Sequence, residues 1–237
     1  MIKGFLFDYG GTLDTAGCHW GKMLWHAYEK VGVPVAEQDF RDAYVYAERR
    51  IDREGSVTAD FTFYRTLGVK LQFQLEYLLD NGKLSASNEQ MKEWHRELHE
   101  SLYARVKEIT AHSCEVLDEL KKQHIPMVLV SNFYGNVEAV LQEFGFTPYF
   151  KAVIESARVG IRKPDPRIYE LGVEALGLAP EEVVVVGDSF PKDIVPAKTL
   201  GCKAYWFKGE GWKDEKYDET LADKIISDLS EITLNRR

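Results

Sequence analysis

Four groups of residues, far apart in the chain, are of types that do chemistry together. Asp8 ends the apolar run Ile2–Phe7 and opens the stretch Asp8-Tyr9-Gly10-Gly11-Thr12. Ser131 and Asn132 follow a second apolar run, Pro126–Val130. Lys163 lies in Arg162-Lys163-Pro164-Asp165. Gly187-Asp188-Ser189 follows the run Val183–Val186, with Asp193 five residues beyond Asp188. Two carboxylates, Asp8 and Asp188, cannot share a small site without a cation, and a set of oxygen ligands suits Mg²⁺. A cation held there can accept a phosphoryl oxygen and screen the repulsion between an attacking carboxylate and an anionic substrate. Lys163 adds a point charge for the phosphoryl group. Ser131, Asn132 and the backbone amides after Asp8, at Gly11 and Thr12, add neutral donors. The free oxygen of Asp8 is then a nucleophile that would give an aspartyl-phosphate. Each group alone has an ordinary explanation as a turn, a cap or a solvated charge. Their joint occurrence, in this order and at strand ends, carries the reading.

The elements that must position these residues are legible in outline. Ile2–Phe7, Pro126–Val130, Ala152–Ile154, Val183–Val186 and Ala204–Phe207 read as buried strands, and four valines without alternation imply a strand covered on both faces. Helical patterns at Cys114–Gln123, Asn136–Phe144 and Pro166–Leu176 lie between them. Strand–helix alternation predicts an α/β fold with a doubly wound, Rossmann-like parallel sheet, whose ligands bind beyond the carboxyl ends of the strands. From about Thr15 to Ala104 the pattern is helical instead: Lys22–Val31, Phe40–Asp52, Val69–Asp80 and Asn88–Ala104. This predicts a helical cap over residues 15–104, inserted into a core of residues 1–14 and 105–237. Ala222–Leu234 reads as a short edge strand and a helix.

Composition excludes several classes of function. The formal net charge of −8 argues against nucleic acid or an anionic membrane surface as a partner. The apolar runs are too short to span a bilayer. The N-terminus does not have the form of a signal peptide, and three widely spaced cysteines form neither a disulfide framework nor a zinc pattern. A cytoplasmic protein acting on a small molecule is the expectation.

The four motifs together resemble those of the haloacid dehalogenase-like (HAD) hydrolase superfamily. Asp8-Tyr9-Gly10-Gly11-Thr12 is similar to its first motif, Ser131-Asn132 to the second, Lys163-Pro164 to the third, and Gly187-Asp188 with Asp193 to the fourth. The helical insertion matches the family's type 1 cap. The resemblance implies a hydrolase, most simply a phosphatase of a small phosphorylated metabolite. It makes Asp8 the nucleophile and a Mg²⁺ ligand, Asp188 a second ligand and the backbone carbonyl of Gly10 a third. Ser131 and Lys163 would hold the transferring group. Asp193 would ligate through water or orient Lys163.

The chain departs from the family at Gly10, where an Asp ordinarily serves as general acid and base. Losing such a group forfeits about 10²–10⁴-fold in rate. Hydrolysis of a P–C or C–halogen bond at the same nucleophile, or phosphate binding without turnover, are therefore alternatives. His19 is the candidate substitute acid, since a histidine pKa suits that task. His95 and His99, four apart in HRELH, read as a solvated helix face rather than a metal pair.

Overall fold

A computed structural model describes residues 1–213 and 215–232. Six parallel strands form one sheet: β1 (Gly4–Phe7), β2 (Met127–Ser131), β3 (Phe150–Glu155), β4 (Val183–Gly187), β5 (Lys203–Phe207) and β6 (Lys224–Ile226). Their spatial order is β3-β2-β1-β4-β5-β6. The chain thus leaves β1 toward β2 on one side and returns to β4 on the other, which makes the end of β1 the switch point where a ligand crevice opens. Every residue of β1, β2 and β4 is buried, as the unalternating valines require.

Among the described residues, eight α-helices accompany the sheet. Four of them, α1 (Trp20–Val31), α2 (Glu37–Glu54), α3 (Phe63–Asp80) and α4 (Asn88–Lys122), come between β1 and β2. The others are α5 (Val137–Glu143), α6 (Ser156–Val159), α7 (Arg167–Leu176) and α8 (Val195–Thr199). The expected helices Asn88–Ala104 and Cys114–Gln123 are one. Helix α4 runs unbroken for 35 residues from a Ser87–Gln90 capping box. Leu98, Leu102, Val106, Ile109, Val116, Leu117 and Leu120 keep its apolar face buried throughout. They join one apolar cluster that includes Phe5 and Met127 of the sheet and Leu24 and Leu71 of α1 and α3.

The His95–His99 face is not solvated. His95 Nε2 lies 2.9 Å from the Gly68 carbonyl and His99 Nε2 lies 2.8 Å from that of Tyr64, so the two rings tie α4 to α3. Past Ala222, β6 is present where an edge strand was expected, and a 3₁₀ turn covers Leu229–Ile232. Leu234, the end of the expected helix, lies outside the described residues.

Candidate active site

Strand register brings the two leading acids together. Phe7 pairs with Val186, and the Asp8 amide donates to the Val186 carbonyl at 3.0 Å, so Asp8 and Asp188 emerge side by side from neighbouring strands. The backbone allows this approach only with glycine at two points. A Cβ on Gly11, whose φ is 109°, would lie 2.3 Å from Asp188 Oδ1; one on Gly187 would lie 2.5 Å from the Asp193 side chain. Beyond Ser189 a wide helical turn, Phe190–Ile194, swings Asp193 back beneath the strand ends. Asp193 Oδ2 accepts from the Ser189 amide at 2.9 Å. Asp8, Asp188 and Asp193 each place a carboxylate oxygen within 4.8 Å of the others.

Lys163 reaches the same point from the loop before α7. Its Nζ lies 2.5 Å from Asp8 Oδ1 and 2.8 Å from Asp193 Oδ1. Tyr169, one turn into α7, donates its hydroxyl to Asp193 Oδ1 at 2.6 Å. Asn132 fixes the lysine's backbone: its Oδ1 accepts from the Lys163 amide at 2.9 Å, and its Nδ2 donates to the Lys163 carbonyl at 3.1 Å. The Asn132 amide group, expected to face the phosphate, is thus engaged with the main chain that carries the ammonium.

The electrostatics follow from burial. Desolvation raises the Asp8 carboxyl to about 6; Lys163 opposes the rise and Asp193 adds to it. Burial pulls the Lys163 ammonium down, but Asp193 and Asp8 more than offset this, and it stays above its ordinary value. Asp188 is raised well above the usual carboxylate range, by burial and then by the Asp8 and Asp193 charges. Among the described residues its side chain accepts one long hydrogen bond, from the Thr12 hydroxyl at 3.5 Å to Oδ1. A half-buried carboxylate beside two buried ones, with one long hydrogen bond, is a poor arrangement for protein atoms alone. It suits a hard divalent cation, and the donors are all oxygen. Asp193 is already occupied by Lys163, Tyr169 and the Ser189 amide, so Asp8 and Asp188 are the carboxylates with capacity left for a metal.

A cavity of about 460 Å³ opens on this cluster. Asp8, Gly10, His19, Asn132, Lys163, Asp188 and Asp193 line it. Gly11, Thr12 and Ser131 belong to the strand ends behind the wall; Ser131 is buried and ends β2. At Gly10 there is room: an added Cβ would meet nothing nearer than the Trp20 ring, at 3.9 Å. His19 does not have the pKa expected of a substitute acid. Burial, and next the Lys192 charge, pull it down to about 4. Its Nδ1 accepts from the Gly21 amide as the N-cap of α1, and its ring stacks on Trp212 at 5.2 Å between centroids.

Three participants were given no part in the site by the sequence reading. Tyr169 holds Asp193, and its place beside Ile168 on the apolar face of α7, just after the Lys163 loop, was the available signal. Asp14 is fully buried, accepting from the Gly11 amide at 2.7 Å and Trp20 Nε1 at 3.0 Å. Burial raises its carboxyl to about 7, against those two hydrogen bonds. Glu48, on α2, lines the cavity with no motif to mark it.

Comparison with known proteins agrees with this geometry. The chain is 34% identical over 119 residues to a phosphoserine phosphatase of Thermus thermophilus, covering 50% of this chain and 47% of that protein. It is 29% identical over 240 residues to a phosphoglycolate phosphatase of Shigella boydii, covering 98% and 91%. The chain spans about half, or less, of the length of the first curated relatives it matches. Among solved structures, a dehalogenase with an intermediate complex superposes with a TM-score of 0.62 at 18% identity, over 97% of this chain and 95% of that one; this likeness shows the fold. Among the described residues no helix is long and apolar enough to cross a membrane. The family model for haloacid dehalogenase-like hydrolases matches residues 2–201, and the chain belongs to that family.

Proposed function

We propose that the protein is a Mg²⁺-dependent phosphatase of a small phosphorylated metabolite, working through a phosphoryl group carried on Asp8. The observation that carries this reading is the convergence of Asp8, Lys163 and the under-partnered Asp188 on one cavity. In this reading residues 15–104 make up the helical cap and residues 1–14 with the described chain from 105 on make up the catalytic core, α4 running across the boundary between them.

Asp8 and Asp188, with the Gly10 carbonyl, would hold Mg²⁺, which supplies charge neutralisation for the phosphoryl oxygens. Lys163 keeps the Asp8 carboxylate ionised and turned toward the cavity, and its ammonium attracts the incoming phosphate. Asp193 and Tyr169 hold that ammonium in place, and Asn132 holds its backbone. An Asp8 oxygen attacks phosphorus as the ester oxygen leaves. The Ser131 hydroxyl would donate to the transferring group; the Gly11 and Thr12 amides, expected to do so as well, are spent on the Asp14 carboxylate and the Tyr9 carbonyl. Water then attacks the same phosphorus, the Asp8–phosphate bond breaks, and inorganic phosphate departs with the carboxylate regenerated. No side chain at position 10 serves the departing oxygen, and His19 stays neutral near pH 7. That oxygen takes its proton from solvent, and the attacking water returns one. Esters whose alcohol leaves readily are therefore the better substrates.

The test is release of inorganic phosphate from a panel of small phosphate esters with Mg²⁺, wild type beside Asp8→Asn. Turnover abolished by Asp8→Asn supports the reading. Wild-type protein that releases no phosphate from any ester, or releases halide from haloacids instead, overturns it.

A further inference from the structure

Lys70 lies in the interior of α3, yet it lines the cavity that holds Asp8. It is almost wholly buried, at 8% exposure. Its Nζ pairs with Glu48 Oε1 at 2.7 Å and otherwise meets aromatic faces, 5.8 Å from the Trp20 ring centroid and 5.4 Å from that of Tyr134. Glu48 is itself fixed, for Oε2 accepts from the Tyr134 hydroxyl at 2.5 Å. An ammonium carries three donors, and burying a charge with donors unspent is costly. One carboxylate and two π faces leave capacity, and the accessible part of Lys70 opens on the cavity. Burial lowers its pKa, but Glu48 and then Tyr44 more than offset this, so it remains a cation. Arg162 and Lys192 line the same cavity and add positive charge.

We propose that Lys70, held by Glu48 and Tyr134, binds a carboxylate on the non-transferred part of the substrate, so that the preferred substrate is a carboxylate-bearing phosphate monoester. The inference rests on the phosphatase reading above. A charged acceptor is the better match than a hydroxyl, because the site offers donors on a buried cation and charge-assisted hydrogen bonds are the stronger kind. The volume of about 460 Å³ suits a small molecule that bridges Asp8 and Lys70. Trp20, Phe133 and Tyr134 give the same cavity aromatic walls.

The experiment is calorimetric titration, with Mg²⁺ present, of 3-phosphonopropionate, n-propylphosphonate and 3-hydroxypropylphosphonate. None of these can be hydrolysed, so binding is read apart from turnover. Wild type should bind the carboxylate compound about tenfold or more tighter than the other two. Lys70→Gln should remove that preference while leaving n-propylphosphonate within about twofold of wild type. Lys70→Gln paired with Glu48→Gln, which leaves no buried charge alone, guards against misfolding and should behave likewise, with a thermal melt confirming the fold. Equal affinity of wild type for the three compounds, or a preference that survives Lys70→Gln, overturns the assignment while the phosphatase reading stands. No binding of any phosphonate, together with no ester hydrolysis, overturns both.

Discussion

Lys163 Nζ lies 2.5 Å from Asp8 Oδ1, and both side chains are nearly sealed from solvent. The residues are 155 positions apart. The contact joins the end of β1 to the loop before α7, and the same ammonium brings Asp193 into the ion cluster. One cation facing two carboxylates leaves the cluster net negative before Asp188 is counted. That imbalance is the source of the first predictions.

Removing the ammonium should damage both function and folding. Lys163→Met leaves Asp8 and Asp193 buried without their cation, which typically costs about 3–5 kcal/mol. The loss of a positive group aimed at the transferring phosphoryl should lower kcat by about 10²–10³-fold. Urea unfolding and phosphate-release kinetics measure the two effects. Unchanged stability with unchanged kcat would mean that the contact is incidental.

Mg²⁺ should stabilise the protein, and Asp188 should be needed for the effect. Thermal unfolding in EDTA and in excess Mg²⁺ should differ by several degrees in wild type. Asp188→Asn relieves like-charge crowding, so this variant should melt higher than wild type in EDTA and show little response to Mg²⁺. A variant that responds as strongly as wild type would place the metal elsewhere.

Much of this arrangement was legible because of where strands end. The apolar runs before Asp8, Ser131 and Asp188 each became a strand, and a parallel sheet collects their carboxyl ends. Less could be read where local sequence and tertiary environment diverge. Helix α4 was divided in the reading at an assumed boundary near Ala104, although the apolar spacing from Leu98 through Val106 and Ile109 to Val116 continues across it. The state of His19 is set by burial and by the Lys192 charge, and Trp212, which stacks on its ring, lies in a loop 193 positions away by number, so no local signal carries it. Lys70 sits among the buried residues of α3 like any core position, and its partners come from α2, from Trp20 of α1 and from the loop after β2. Burial and distant partners decided these cases, and both are products of the fold.

Asp14 gives stability a pH dependence. Its carboxyl is raised from 3.8 to about 7 on folding, so between those values the folded state holds the extra proton. Its contribution is complete below pH 3.8 and is lost as pH rises through 7. Asp14→Asn should therefore flatten the fall in stability between pH 5 and pH 8 by a few kcal/mol. Urea midpoints measured in EDTA across that range check it. Asp8 and Asp188 keep some slope in the variant, since their carboxyls are raised as well. Parallel curves for wild type and variant would refute a perturbed Asp14.

The last prediction concerns the side chain that is missing. Gly10 stands outside the left-handed backbone region, and a Cβ there would make only an ordinary contact with Trp20 at 3.9 Å. Gly10→Asp should therefore fold normally. The new carboxyl would face the same acidic cluster as Asp8 and Asp188, and neighbouring negative charge together with burial would raise its pKa. It would then hold a proton near neutral pH and could deliver it to a departing alkoxide. A positioned acid of this kind contributes about 10²–10⁴-fold, but only where the leaving group needs a proton. Alkyl phosphates should accelerate by about 10²-fold or more, while p-nitrophenyl phosphate, whose phenolate leaves unprotonated, should change by less than about tenfold. The ratio of the two rates is the measurement. Equal gains for both substrates would show that the substitution acts on binding or metal affinity, and that Gly10 is not the position where a leaving-group acid belongs.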